Sequence, residues 1–132
     1  MTRVEAIVQA AYAPWTAIIG QKPGPLLDDY CAHILAGRVY MLRGAVLVVI
    51  EGADHMLLDN VAVHPDQQGR GIGRGLIAFA ENLARSRDHQ RMRLYAHEKM
   101  TTNIALYRRL GYTVTHRARE RGLDRVYMEK QL

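Results

Sequence analysis

Apolar residues near the amino terminus follow the spacing of a helix. They recur at positions i, i+3, i+4 and i+7, as Val4, Ile7, Val8 and Ala11. This stripe predicts an amphipathic helix over about residues 3–13, which Pro14 helps to end. The glycines and prolines of residues 20–25 are incompatible with a regular helix or a central strand, so we expect an ordered loop there.

A second, shorter helix is predicted after this loop. Asp28 is suited to its amino-terminal cap, and Gly37 to its carboxyl-terminal end. Three residues are expected to face inward: Tyr30, Ile34 and Leu35. Cys31 and His33 lie two residues apart, so on a helix their side chains diverge and we expect no Cys–His nucleophile.

The rest of the chain alternates between strand-like and helix-like patterns. Eight further elements are predicted, in the order strand, strand, strand, helix, strand, helix, strand, strand: residues 38–43, 45–50, 55–63, 71–86, 91–97, 102–110, 112–117 and 125–129. This order predicts one mixed α/β (α+β) domain spanning residues 1–132, in which helices flank a largely antiparallel central sheet.

Composition narrows the class of protein. Of the 132 residues, 48% are hydrophobic and 23% are charged, so the chain is long enough to bury a core and too apolar for disorder. Its longest apolar run, residues 45–50, is too short to span a bilayer, and no secretion signal opens the chain. The single cysteine excludes a disulfide within the chain. We therefore expect a cytoplasmic protein with no membrane partner.

Charge is distributed unevenly along the chain. The formal net charge is +5, but residues 1–68 carry a net −3 and residues 69–132 a net +8. Such a basic half indicates an anionic partner: a nucleic acid, a membrane surface or a phosphorylated cofactor. The alternative is an arginine-rich face that only contacts solvent. Charge alone does not choose among these, so the motifs must decide.

The densest glycine segment joins a predicted strand to a predicted helix. It comprises Gln68, Gly69, Arg70, Gly71, Ile72, Gly73 and Arg74. Closely spaced glycines let backbone N–H groups converge, and the helix amino terminus and the arginines add positive charge, which suits a phosphate or pyrophosphate. The segment lacks the lysine of a Walker loop and the Gly-x-Gly-x-x-Gly spacing of a Rossmann loop, but it fits Gln-x-x-Gly-x-Gly.

Two segments in the expected order resemble one known family. The first is the Gln-x-x-Gly-x-Gly segment at residues 68–73, and the second is residues 103–112, in which Asn103 and Tyr107 lie one helical turn apart. They resemble the acetyl-coenzyme A (acetyl-CoA) signature and, in loosened form, the Asn-x-x-Ala-x-x-x-Tyr region of the GCN5-related N-acetyltransferases, the GNAT superfamily. The resemblance is close over about residues 59–112. On either side of this range, only the order of helices and strands is similar to that of the family.

The resemblance implies acetyl-CoA as co-substrate. In this family the pantetheine arm lies in a splay between two parallel strands, which here are the strand that ends at Val63 and the strand at residues 91–97. Backbone groups of Val61 and Val63 would pair with the arm, and the Val61 N–H would stabilise the oxyanion. The residues implied to bind the coenzyme are Val61, Ala62, Val63, Gln68, Gly69, Arg70, Gly71, Ile72, Gly73, Arg74, Asn103 and Tyr107.

Two residues of the second segment have implied roles and simpler alternatives. The family pattern implies that Tyr107 is the general acid that protonates the departing thiolate, whereas periodicity alone favours a core tyrosine. Asn103 is implied to contact the coenzyme or to order a water molecule, but a residue at a helix start also serves as a cap.

Acetylation of an amine also requires a base, because an alkyl ammonium has a pKa of about 10 and carries no lone pair. Asp59 is the candidate base, acting directly or through water. Two-residue alternation places it on the strand face of Val61 and Val63. A strand aspartate also commonly pairs with an arginine, and His55 and Glu51 are the alternative bases.

The leading hypothesis is an acetyl-CoA-dependent N-acetyltransferase that acetylates a primary amine of a small molecule or peptide by direct attack in a ternary complex. The alternative is a non-catalytic acyl-CoA-binding or regulatory module of the same fold. A nucleic-acid-binding protein ranks last, because the arginines cluster at one loop and scatter elsewhere. No metal is expected, since the six histidines show no ligand spacing. Tyr12 and Trp15 form either an acceptor wall or core packing.

The family's usual first strand is missing from the predicted elements, since only residues 1–3 precede the first helical stripe. An open sheet edge is then expected beside four apolar strand residues: Val39, Met41, Val46 and Val48. Because a second copy related by a two-fold axis would cover such an edge, we expect a homodimer. The alternative is a start site placed too late, with the strand encoded upstream.

Overall fold

The computed structural model describes residues 2–132 of the chain. Over this range it contains four helices and six strands: α1 (Arg3–Ile19), α2 (Tyr30–Leu35), β1 (Val39–Leu42), β2 (Ala45–Glu51), β3 (Met56–Val63), α3 (Ile72–Ser86), β4 (Arg91–His97), α4 (Thr101–Arg109), β5 (Thr113–Glu120) and β6 (Leu123–Gln131). Two short 3-10 turns lie at Gly24–Leu27 and Pro65–Gln67. The predicted element order is confirmed.

The six strands form one open sheet in the order β1-β2-β3-β4-β6-β5. All neighbouring strands are antiparallel except β3 and β4, which are parallel. Two consecutive parallel strands need a crossover connection, and α3 supplies it. The predicted mixed fold with a largely antiparallel sheet flanked by helices is confirmed.

Two apolar clusters cover the two faces of the sheet. The cluster beneath α3, here called the α3-side core, includes Leu47 of β2 and Leu76 and Ala80 of α3. The cluster beneath α1, the α1-side core, includes Val8 of α1 and Val46 of β2. Because β2 contributes alternate side chains to both clusters, it is a central strand that is buried on both faces.

Helix α1 is longer than its apolar stripe predicts. It continues through Pro14 to Ile19, and Gly20 ends it in the left-handed conformation with φ 88°. Pro14 lies on the exposed side of the helix, where its ring does not disturb the packed face. Ile19 is buried in the α1-side core, so packing retains the last turn. The prediction that Pro14 helps to end the helix is wrong.

Helix α2 differs from its prediction in cap and in phase. Asp29, not Asp28, is the amino-terminal cap, and its Oδ1 accepts a hydrogen bond of 3.1 Å from the backbone N–H of Ala32. The helix has only six residues, and its inward side chains are Tyr30 and His33. Two of the residues predicted to face inward are exposed instead, namely Ile34 at 43% and Leu35 at 89%.

No strand precedes α1 in residues 2–132, so β1 is an edge of the sheet, as expected. Met41 and Leu42 on this edge are 43% and 48% exposed. Val46 and Val48, which the sequence placed beside the open edge, are fully buried under α1. The exposed apolar edge is therefore confined to β1. None of the helices in this range is long and apolar enough to cross a membrane.

Candidate active site

Strands β3 and β4 pair over only part of their length. Three residue pairs join them: Met56–Met92, Leu57–Arg93 and Leu58–Leu94. Beyond these pairs β3 continues to Val63 and β4 to His97, with no further pairing between the two strands. The splay predicted between these strands is confirmed, and it leaves a gap in the middle of the sheet.

A bulge in β3 marks the start of the gap. Val48 of β2 pairs with Asn60, and Val49 pairs with Leu58, so Asp59 has no partner on β2. An extra residue of this kind bends its strand and increases the local twist. The bend lies where pairing with β4 stops, and it directs the rest of β3 away from β4.

The bulge also overturns one sequence prediction. Simple alternation placed Asp59 on the face of Val61 and Val63, but Val61 and Val63 pack against the α3-side core together with Leu58. The Oδ2 of Asp59 instead lies 3.8 Å from the Nε2 of His33, on helix α2. Because one added residue reverses the alternation, counting by twos across the bulge gives the wrong face.

The direction of the backbone groups along β3 follows from one hydrogen bond. The N–H of His64, just after the strand, donates to the carbonyl of Gly44 at 2.9 Å, on the β2 side. Backbone N–H and C=O groups alternate in direction along a strand, so those of Ala62 also point toward β2. Those of Val61 and Val63 therefore point into the gap.

Two side chains that reach β3 from the gap side agree with this direction. The Tyr12 hydroxyl lies 3.5 Å from the carbonyl of Val61, and the Gln68 amide donates to the carbonyl of Val63 at 3.1 Å. Gln68 therefore ties the glycine loop to the end of β3. The N–H groups of Val61 and Val63 can pair with a ligand that lies in the gap.

An open groove, here called the glycine groove, follows the gap to the start of α3. It has a volume of about 490 Å³, and every residue predicted to bind the coenzyme lines it except Arg70. Arg70 is exposed in the loop that precedes α3. Arg74 lines the groove in the first turn of α3, so one of the two predicted arginines is placed at the groove itself.

The glycine loop leaves backbone N–H groups free at the groove. Gly69 and Gly71 adopt φ values of 80° and 76°, which residues with a side chain rarely adopt. Gly71 caps α3 without a side-chain hydrogen bond, and a Cβ built at Gly69 or Gly71 would meet no atom within 4 Å. Free N–H groups, open space and the helix dipole fit a pyrophosphate such as that of acetyl-CoA.

Tyr107 and Asn103 lie on α4 and face the gap from the α3 side. Both line the glycine groove and also a central cavity within the gap. Met100 is the amino-terminal cap residue of α4, so the alternative that Asn103 is only a cap is wrong. Burial raises the pKa of the Tyr107 hydroxyl to about 12, and the hydroxyl therefore keeps its proton at neutral pH.

Asp59 lines the central cavity and a third space, here called the Asp59 pocket, which opens beside α2 and the β5–β6 hairpin. Burial, and next the negative charge of Asp28 and a hydrogen bond with it, raise the pKa of Asp59 to about 6. The charges of His33 and Arg125 act in the opposite direction. A carboxyl with this pKa is ionised at neutral pH and is basic enough to accept a proton.

These three spaces adjoin one another along the gap in the sheet, and together they are here called the path. The central cavity shares Asn103 and Tyr107 with the glycine groove, and it shares Asp59, Tyr95 and Arg125 with the Asp59 pocket. A ligand in the glycine groove and a ligand in the Asp59 pocket therefore meet at the gap between β3 and β4.

A chain of hydrogen bonds supports one wall of this path. The Tyr12 hydroxyl donates to Asn60 Oδ1 at 2.6 Å, and Asn60 Nδ2 donates to the Tyr30 hydroxyl at 2.8 Å. The Tyr30 hydroxyl donates in turn to the Pro25 carbonyl at 2.6 Å. Tyr12 is thus both a core residue and a wall residue, while Trp15 is half-buried and lines the glycine groove.

Some singled-out residues lie elsewhere, and some site residues were not singled out. Glu51 and His55 are absent from the lining of all three spaces, and Glu51 is hydrogen-bonded to His89. Four residues near Asp59 that sequence reasoning did not assign to the site are Asp28, His33, Tyr95 and Arg125. Of these four, only Tyr95 could have been found from the sequence, because side-chain alternation along a strand that borders the gap indicates which face it occupies. The expectation of no metal stays a prediction.

The comparisons with known proteins agree with this geometry. A family model described as "Acetyltransferase (GNAT) domain" matches residues 29–114. The matched range covers more than half of the chain and includes β3, the glycine loop, β4 and α4. The chain belongs to the GNAT acetyltransferase family.

Solved structures show the same fold. The ribosomal-protein-S18-alanine N-acetyltransferase of Escherichia coli matches with a TM-score of 0.75 and 21% identity, over 98% of this chain and 85% of its own. A GNAT family acetyltransferase from Elizabethkingia anophelis with acetyl-CoA bound matches with a TM-score of 0.62 and 16% identity, over 81% of this chain and 87% of its own.

A third structure is longer than this chain. Nourseothricin acetyltransferase matches with a TM-score of 0.62 and 24% identity, over 66% of this chain and 56% of its own, so the match spans little more than half of that protein. A search of curated proteins found no match.

Proposed function

We propose that this protein transfers the acetyl group of acetyl-CoA to a primary amine of a small molecule or peptide, by direct attack in a ternary complex. The observation that carries the proposal is the series of three adjoining spaces along the gap in the sheet. It joins a groove suited to a pyrophosphate with a pocket that holds a buried carboxylate, at a gap lined by free backbone N–H groups.

The residues of the glycine groove hold the coenzyme in this proposal. The glycine loop and the start of α3 bind its pyrophosphate, with positive charge from Arg74 and from the exposed Arg70. Backbone groups of Val61 and Val63 other than the Val61 N–H pair with its pantetheine arm, as a strand would. Acetyl-CoA supplies the activated acetyl thioester.

Three groups serve the reaction at the gap. The Val61 N–H donates to the thioester oxygen as negative charge develops on it. Asp59 accepts a proton from the acceptor ammonium, which frees the nitrogen lone pair. Tyr107 protonates the departing thiolate, and its raised pKa keeps the proton on its hydroxyl at neutral pH until the thiolate leaves beside it. Asn103 contacts the coenzyme or orders a water molecule.

The Asp59 pocket supports an amine as acceptor. Asp28, Asp59 and Glu120 line it and attract a cation, while Arg121 and Arg125 line the side nearest the β5–β6 hairpin. An acceptor that carries an ammonium group and a nearby polar or anionic group matches this arrangement, which includes small amines and peptide amino termini.

The test is a screen for thiol release from acetyl-CoA with amines, amino acids, polyamines, aminoglycosides and peptides, in which mass spectrometry identifies the acetylated product. We expect at least one acceptor to give both a thiol signal and a product that is heavier by one acetyl group. Acetyl-CoA binding with no product from any acceptor class would instead support a non-catalytic acyl-CoA-binding module.

A further inference from the structure

Three ionisable side chains meet at the outer end of the path, beside the groups already assigned. The Nε2 of His33 lies 2.8 Å from Oδ2 of Asp28 and 3.8 Å from Oδ2 of Asp59. One carboxylate oxygen from each aspartate and this nitrogen all lie within 4.8 Å of one another. Asp59 therefore has a second carboxylate as a near neighbour, held by the same imidazole.

The side chain of Asp28 is more exposed to solvent than that of Asp59. The side chains of Asp59 and His33 are each only 10% exposed, whereas the side chain of Asp28 is 32% exposed. Asp28 sits just after the 3-10 turn at Gly24–Leu27, at the rim of the Asp59 pocket. A proton that reaches Asp28 can pass to water, and one that stays on Asp59 cannot do so as easily.

His33 is a hydrogen-bond donor in this cluster rather than a carrier of the proton. Its Nδ1 is buried and has no hydrogen-bond partner within residues 2–132. The ring therefore contacts the two carboxylates through Nε2 and offers no onward hydrogen bond through Nδ1 within residues 2–132.

Other charged or titratable groups also face Asp59, from α1, α2, β4 and the β5–β6 hairpin. They are Tyr12, Tyr30, Tyr95, Glu120, Arg121 and Arg125. Arg125 stacks over the Tyr95 ring, 4.4 Å from its centroid, and pairs with Glu120 at 3.4 Å. Within residues 2–132, Asp28 is the carboxylate that clusters with both Asp59 and His33.

We propose that Asp28 takes the acceptor's proton from Asp59 and releases it to water, and that His33 is a positioning residue that holds the two carboxylates together. This inference rests on the proposed function. An N–H bond of the acceptor ammonium breaks, its electron pair stays on nitrogen, and the proton passes to Asp59, then to Asp28 and to water.

The remaining bonds balance the reaction. The nitrogen bonds to the thioester carbonyl carbon as the carbon–sulfur bond breaks. Tyr107 gives its proton to the departing sulfur and regains one from the acylated nitrogen. The acceptor thus loses two protons in total, of which one ends in solvent by way of Asp28 and the other on the thiol of coenzyme A.

The test compares Asp28→Asn with Asp29→Asn. Asp29 is the neighbouring exposed cap of α2, and asparagine caps a helix equally well, so this control makes the same charge change outside the cluster. With an acceptor from the screen, we expect kcat of Asp28→Asn to fall by about tenfold, less than the roughly 10²-fold loss on removal of a general base. Added formate should restore its rate and not that of the control.

Two further measurements distinguish a proton relay through Asp28 from a purely structural role of Asp28 and His33. Carbon-13 NMR of the aspartate carboxyls should show a lower pKa for Asp59 in Asp28→Asn, because a neighbouring negative charge is gone. His33→Gln keeps an N–H donor near the Nε2 position, so it should retain the wild-type pH profile of kcat, while His33→Ala should shift it. Asp28→Ser serves as a second variant in case Asp28→Asn does not fold.

The outcomes are distinct. Absence of acetyl transfer by the wild type to any acceptor overturns the proposed function and with it the relay. Transfer by the wild type with an unchanged kcat and pH profile in Asp28→Asn overturns the relay alone. A loss of kcat that formate does not restore also overturns it and makes Asp28 an acceptor-binding residue.

Discussion

Replacing Asp59 by asparagine should stabilise the folded protein at neutral pH while it removes acetyl transfer. Burial, together with Asp28, raises the pKa of Asp59 from 3.8 to about 6. The carboxyl thus binds its proton more tightly in the folded state than in the unfolded chain. Ionising it inside the fold carries a cost, which the protein bears because the reaction needs a base at that point.

The size of the cost follows from the shift. At about 1.4 kcal/mol per pKa unit, a shift of roughly two units corresponds to about 3 kcal/mol. Below about pH 3 the carboxyl is protonated in both states and the cost is absent; it grows as the pH rises and is complete above about pH 7. Because the pKa of about 6 already includes the attraction of nearby positive charges, we expect a gain of no more than about 3 kcal/mol for Asp59→Asn at neutral pH.

Urea unfolding followed by circular dichroism measures this gain. We expect a higher midpoint for Asp59→Asn at neutral pH, a melting temperature higher by about 4 °C per kcal/mol, and no difference from wild type near pH 3. Asp29→Asn should match the wild type throughout. If Asp59→Asn is less stable than wild type at neutral pH, or if the difference does not vary with pH, the reasoning about the buried charge is wrong.

Three further predictions concern the coenzyme, the acid and the sheet edge. Acetyl-CoA should raise the melting temperature, and adenosine should raise it much less. Gly73→Val should abolish the rise, because the new side chain enters the groove. An unchanged affinity of folded Gly73→Val for acetyl-CoA would contradict the groove assignment. Tyr107→Phe should lower kcat by about 10²-fold with little change in coenzyme affinity, and an unaltered kcat would exclude it as the acid. Light scattering at micromolar concentration should give twice the chain mass, since β1 is an open apolar edge; a soluble monomer would refute the dimer.

The parts of the fold that the sequence predicts well are those with a local cause. The order of helices and strands follows from apolar periodicity, and the glycine loop is visible because few structures other than an anion site need so many glycines at a helix start. The resemblance to the GNAT family, not local pattern, assigned residues 61–63 and 68–74 to the coenzyme, and all of them except Arg70 line the glycine groove.

The parts that sequence reasoning missed depend on contacts between distant segments. Nothing in the local pattern shows that β3 has a bulge at Asp59, since a bulge is defined by the partner strand. The phase of α2 is set by the packing of Tyr30 and His33 onto the body of the domain, which outweighs the apolar character of Leu35. His33 could therefore not be placed beside Asp59 before the fold was known.

The short ladder between β3 and β4 has a mechanical consequence. Within residues 2–132 its three residue pairs are the whole strand pairing between the β1–β2–β3 half of the sheet and the β4–β6–β5 half. A coenzyme that bonds to both sides of the gap would stiffen this short joint. The amide hydrogens of Val61 and Val63, which point into the gap, should then exchange slowly only when the coenzyme is bound, and the opening of this joint would set how fast the spent coenzyme leaves.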